Sequence, residues 1–128
     1  MVKDEALFGT FGDQYVFRLR IAAPRISVRD LLRERVEQEV ETYNAHQPEY
    51  FRGLVQPEET EQTLNGFKLR KPRMLNWQTQ YDKALEAFQR NGFVMLVNER
   101  QVEGLDTMVE INDETTVTFL KLVPLAGG

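Results

Sequence analysis

A change of hydrophobic period at Pro24 limits the fold more than any other feature. Before it, "EALFGTFGDQYVFRLRIA" (5–22) alternates, with Leu7, Gly9 and Phe11 on one run and Tyr15, Phe17, Leu19 and Ile21 on the next. Period two is that of a strand with one buried face, and Gly12-Asp13 between the runs makes them a β-hairpin. Arg18 and Arg20 take intervening positions, so the other face is expected to be wet. Pro24 ends the second strand. Directly afterwards Val28, Leu31, Leu32, Val36, Val40 and Tyr43 recur at helical steps. Ser27 stands three residues before Asp30, a spacing that predicts an N-cap. Arg33, Glu34, Glu37, Gln38 and Glu41 make the solvated face. The helix is expected to lie across the hairpin and bury its stripe there.

Residues 45–75 are broken by Pro48, Pro57, Pro72, Gly53 and Gly66 and carry the acidic run "PEETE". Pro57 suits a first helical turn, so a short helical turn is expected near 57–65. Asn76 then caps a second helix, with Trp77, Tyr81, Ala84, Leu85 and Phe88 on one face and Gly92 just past its end. The dense apolar run 93–97 predicts a central strand buried on both faces. Asn98-Glu99 reads as a turn into a short strand at Arg100–Val102. A small connection, a polar turn at Asn112-Asp113 and a last strand from Thr115 to about Val123 follow. At 128 residues the chain is one domain. A hairpin, a crossover helix and a returning strand put the last strand beside the first in a mixed sheet.

Composition removes several functions. Twenty acidic residues against 16 basic give a net charge of −4, which disfavours general attraction to nucleic acid or anionic lipid. Apolar runs are far shorter than the roughly 20 residues of a membrane span. "MVKD" is no secretory leader, so the cytoplasm is the expected location. Without cysteine there is no disulfide, thiol nucleophile or cysteine–zinc site. His46 stands alone, without the partners a metal or base role needs. Glu58, Glu59 and Glu61 read as a solvated acidic surface, and "GTFG" as hairpin sequence instead of a phosphate loop. The chain is expected to bind no cofactor or metal and to be no enzyme itself.

"KLRKPR" places Lys68, Arg70, Lys71 and Arg73 close together, with Phe67 before them and Trp77 after. Three readings apply: a solvated loop, a docking surface for a protein partner, or a single-stranded nucleic-acid contact. Trp77 belongs to the second helix's apolar face and the total charge is acidic, so nucleic acid is the weakest. If this region has a function, it is docking.

The sequence closes on "FLKLVPLAGG". At average glycine usage of about 7%, two final glycines arise by chance roughly 0.5% of the time; truncation or an engineered scar are the other origins. Val97-Asn98-Glu99, then Asn112-Asp113-Glu114 with Val117, then Gly127-Gly128 follow the order of a "-VNG-" turn, a "-DGDEV-" turn and a strand leading to a glycine pair. In this the chain resembles the β-grasp family of ubiquitin-like proteins and sulfur carriers. Its last third is similar to the molybdopterin synthase small subunit and the thiamine-pathway sulfur carrier. Glu99 departs from the family's turn glycine, residues 45–91 have no counterpart in compact members, and the tail lacks ubiquitin's arginines.

The resemblance implies an α+β fold of the β-grasp type, a mixed sheet packed on a helix. It would be one domain over 1–128, with a helical insertion at about 45–91 and a flexible tail at 124–128. It further implies that Gly128 is the point of covalent attachment, adenylated by a ubiquitin-activating-type enzyme that uses ATP and Mg. Pro124, Leu125, Ala126 and Gly127 would guide the tail. The chemistry is coherent: a carboxylate is a poor electrophile until adenylation supplies a leaving group, and a tail without Cβ atoms threads a channel closed to water. Three outcomes stay open. The chain is a protein modifier, served by a conjugating enzyme and a deconjugating protease. Or it is a sulfur carrier whose thiocarboxylate feeds a sulfur-accepting synthase in molybdopterin-, thiamine- or cysteine-type biosynthesis. Or it is a binding module whose terminus is never activated.

Overall fold

The computed structural model describes residues 2–6, 15–17, 21, 23–63 and 65–121, the first two segments by their backbone. In chain order the elements are β1 (Val2–Ala6), β2 (Tyr15–Phe17), β3 (Arg25–Ser27), α1 (Val28–His46), β4 (Tyr50–Phe51), β5 (Thr60–Thr63) and β6 (Gly66–Leu69). α2 (Trp77–Gln89), β7 (Phe93–Val97), β8 (Arg100–Val102), β9 (Met108–Glu110) and β10 (Val117–Lys121) follow. The fold is α+β, and among the described residues no helix is long and apolar enough to cross a membrane.

The main sheet has the order β2-β1-β10-β7-β8. Its first and last strands are adjacent and parallel, Val2 opposite Val117 and Ala6 opposite Lys121, and the other neighbours are antiparallel. β10 is therefore the central strand. β1 begins earlier than the alternation at Leu7–Phe11 suggests, because pairing with β10 fixes its position. Residues 7–14, with the expected Gly12-Asp13 turn and all of "GTFG", lie outside the described residues. The run 93–97 has one core face only: Phe93 and Met95 are buried, whereas Val94, Leu96 and Val97 are half-buried. On the face opposite Phe93 and Met95, Val94 and Leu96 stay half-buried while Thr118 of the neighbouring β10 is buried, so cover on that face is partial at β7. β10 starts at Val117 and not Thr115, because Thr115 closes the preceding turn: its amide donates to the Asn112 carbonyl and its hydroxyl to the Glu110 carbonyl.

α1 begins where the period changes. The Asp30 amide donates to the Ser27 hydroxyl at 3.1 Å. The amides of Val28 and Arg29 donate to the carbonyls of Thr107 and Leu105. Three donors that every helix start leaves orphaned are thus satisfied, two of them by a connection that looks featureless in sequence. β3, ahead of the cap, pairs with β9 as a separate two-stranded ribbon, which the sequence reading does not anticipate.

All six stripe residues of α1 are buried. They share core clusters with residues of β3, β7, β9, β10, α2 and the 50–75 region; the hairpin's side chains lie outside the described residues. The first half of the stripe joins Phe93, Met95, Val117, Phe119 and Phe88 in one core cluster. The second half, Val36, Val40 and Tyr43, joins Phe51, Leu69, Leu75 and Ala84 in another. One helix therefore serves two cores.

The described residues 57–63 and 65 form no helical turn. Pro57 opens a tight turn in which its carbonyl accepts from the Thr60 hydroxyl at 2.7 Å, and Glu59 takes a left-handed φ of 56°. A helix cannot continue through that residue. β5 and β6 instead form a hairpin, and β4 adds on the far side to give a three-stranded antiparallel sheet. Gly66 is required there: its φ is +128° and a Cβ would sit 2.8 Å from the Phe51 carbonyl oxygen. α2 starts at Asn76, whose side chain accepts from the Thr79 amide. It ends in a Schellman motif, with Asn91 left-handed and the Gly92 amide bonded to the Ala87 carbonyl.

Candidate functional site at the end of the central strand

The candidate activation residue Gly128 and its guides Pro124, Leu125, Ala126 and Gly127 lie outside the described residues. The described part of the site is the base from which they continue, the end of β10 at Lys121. Lys121 stands between Ala6 of β1 and Phe93 of β7. Its ammonium donates to the Gly53 carbonyl at 3.0 Å, which brings the segment 45–75 against the end of the central strand.

Gly53 and its neighbours are held firmly. Gly53 is buried, and a Cβ on it would run into the Phe51 ring. That ring is 1% exposed and meets Tyr43 edge-on, with centroids 5.5 Å apart. The next amide, Leu54, donates to Glu39 Oε1 at 3.4 Å. Glu39 Oε2 accepts from Arg35 Nε at 2.6 Å, and the Arg35 guanidinium lies over the Phe119 ring at 4.8 Å. Loop 53–54, α1 and β10 are thereby joined through one buried ion pair, whose arginine and glutamate side chains are 1% and 7% exposed. Two charges leave water together at a net cost unless their polar atoms are satisfied. Among the described residues no buried side-chain polar atom lacks a partner.

Sequence reasoning missed this pair, although a signal existed. Arg35 and Glu39 fall three and four residues from Leu31, Leu32 and Val36, in the middle of the apolar stripe. An oppositely charged i, i+4 pair inside such a stripe must either break it or be buried as a pair.

The basic stretch is dispersed. Lys68 is exposed on β6, 3.8 Å from Glu49 and opposite Glu61 of β5. Arg70 and Lys71 follow, both exposed; the Arg70 amide bonds the Glu59 carbonyl. Arg73 turns back, and its guanidinium donates to the Glu58 carbonyl. Glu58 also faces the Lys83 ammonium at 3.7 Å. The bases thus interleave with the acidic run and make no single-signed patch. Phe67 is tilted against Phe51, and Trp77 against Tyr81 with the Arg33 guanidinium 5.4 Å from its ring. Both aromatics flanking "KLRKPR" are engaged in the fold.

Two phenols sit in this second core. Burial raises Tyr43 above the ordinary tyrosine range, with Arg73 opposing. Burial likewise raises Tyr81, with Arg29 the leading opposing charge. His46 is exposed at the end of α1. Among the described residues no group of three or more histidine, cysteine, aspartate or glutamate side chains is arranged to hold a metal ion.

Comparison of the chain with protein-family models, with curated proteins and with solved structures returned no match.

Proposed function

We propose that this chain is a ubiquitin-like protein of the β-grasp fold. Its Gly127-Gly128 carboxylate, free as such or after trimming of any residues beyond it, is adenylated by a ubiquitin-activating-type enzyme and passed to a target as a covalent modifier. The observation that carries the reading is the sheet order. The last strand lies at the centre, parallel to the first, and its end at Lys121 stands seven residues before Gly128. Fully extended, seven residues reach about 23 Å. That is enough to carry a carboxylate into a partner's nucleotide pocket while the sheet stays outside.

In the proposed step a Gly128 carboxylate oxygen attacks the α-phosphorus of ATP, and pyrophosphate leaves with Mg. A partner's thiol then attacks the acyl carbon and displaces AMP. Aminolysis of that thioester gives an amide to the target and returns the thiol. The chain contributes no acid or base. It contributes an unbranched backbone that lets the partner close around the reacting carbon. The segment 45–91, tied to the strand end through Lys121 and Gly53, is suited to contact the same partner or the next enzyme.

The apolar residues Pro124, Leu125 and Ala126 favour a second reading, in which sulfur displaces AMP and leaves a thiocarboxylate for a sulfur-accepting synthase. Intact-mass spectrometry after incubation with ATP, Mg and the cognate activating enzyme separates the two. A set of protein adducts marks conjugation, and the mass gain of one oxygen exchanged for sulfur marks the carrier. Deleting Gly127 and Gly128 should abolish both products. An unchanged mass across activating partners would leave a β-grasp binding module.

A further inference from the structure

A groove of about 690 Å³ runs between the second half of α1 and the start of α2. Its apolar surface comes from Val40, Ala45, Met74 and Trp77, and Glu37 and Glu41 stand on its α1 rim. Met74 is 65% exposed and stands beside the half-buried Trp77 in the groove lining. Asn44 in the lining is already used: it donates to the Leu75 carbonyl at 2.9 Å and accepts from its amide at 2.8 Å. An occupant therefore gains little from hydrogen bonds to Asn44. It gains from apolar contact with Met74 and Trp77 and from charge at the rim.

The rim is acidic. Glu37 is shared with Arg33, whose Nε lies 3.2 Å away, and that guanidinium also covers one side of Trp77. Glu41, one turn further along, is exposed and has no cationic partner among the described residues. The basic stretch is turned toward its own acidic run and adds no cation to the groove lining. We propose that this groove docks a basic amphipathic segment of a protein partner, one or two apolar side chains seated on Met74 and Trp77 and a lysine or arginine beside Glu41. An acidic peptide or a nucleic-acid strand would meet the Glu41 carboxylate at close range. The proposal stands whether or not the glycine pair is activated.

Trp77 is the chain's single tryptophan, so its fluorescence reports occupancy directly. The probe is a synthetic amphipathic peptide of leucine and lysine, titrated beside a counterpart with every lysine replaced by glutamate. The lysine peptide should shift Trp77 emission to shorter wavelength with a saturable isotherm that weakens as salt is added. The glutamate peptide should leave the emission unchanged. Glu41→Lys should weaken binding about tenfold and Met74→Asp more, with thermal unfolding near wild type because both positions are exposed. Equal affinity for the two peptides would overturn the proposal, as would wild-type affinity in Glu41→Lys, a variant that only reverses an exposed charge. Self-association of the free chain that disappears in Met74→Asp would make the occupant a second copy and overturn it too.

Discussion

At Asn98 and Glu99 the backbone is left-handed twice in succession, with φ of 49° and 68°, and Val97 pairs with Arg100 across the two residues. Such a two-residue turn favours asparagine first and glycine second. Asn98 fits the pattern and adds a bond, its side chain accepting from the Thr116 amide at 2.9 Å. Glu99 carries a Cβ that crowds its own carbonyl. Glu99→Gly should therefore raise stability by about 1 kcal/mol, read as a higher urea midpoint at unchanged slope. Asn98→Gly should lower it through the lost bond to Thr116. At Tyr43 and Tyr81 the effect is on pH. Both phenols are raised in the fold, so the folded state disfavours their phenolates relative to the unfolded chain. The stability they contribute is complete below about pH 10 and is lost as pH climbs past the folded values. Tyr43→Phe should flatten the alkaline fall in melting temperature. A fall of unchanged steepness would remove Tyr43 as a cause.

Both helices are set by their ends. Ser27→Ala and Asn76→Ala each remove one side-chain acceptor from a first turn and should cost about 1 kcal/mol in chemical unfolding. Their caps and stripes were readable in the sequence because each is decided within a few residues: a cap bonds three positions on, and a stripe repeats every turn. The β3–β9 ribbon was not readable, since Ile26 finds Val109 only after the chain has folded. The β5–β6 hairpin was readable in part. Gly66 marks a break in any helix, but Pro57 also suits a helix start, and only the left-handed Glu59 decides between them. At the candidate site the glycine pair stood out as a motif. The Lys121–Gly53 bond did not, because its ends are 68 residues apart and a lysine reaching a backbone carbonyl leaves no pattern. Arg35 and Glu39 lie between these cases, anomalous in the stripe but explained only once Leu54 and Phe119 stand beside them.

Among the described residues two hydrophobic clusters share one helix, so neither half should survive loss of the other. Trp77 reports the cluster around Tyr43 and Phe51, while far-UV circular dichroism reports all elements together. Their urea transitions should coincide, and separated midpoints would show that the 50–85 region unfolds independently. The same joining shapes the response to charge: the bases of residues 68–73 and the acids of 58–61 lie beside one another, so salt should affect this region little. The parallel pairing of β1 with β10 has a mechanical consequence. The two strands point the same way, with Val2 at one end of the pair and Lys121 at the other. A motor that hauls on the chain beyond Lys121 while the amino end is anchored strains every rung between these strands in shear at once. It cannot peel them apart singly, so threading from that end should stall where a tug at an outer strand would not.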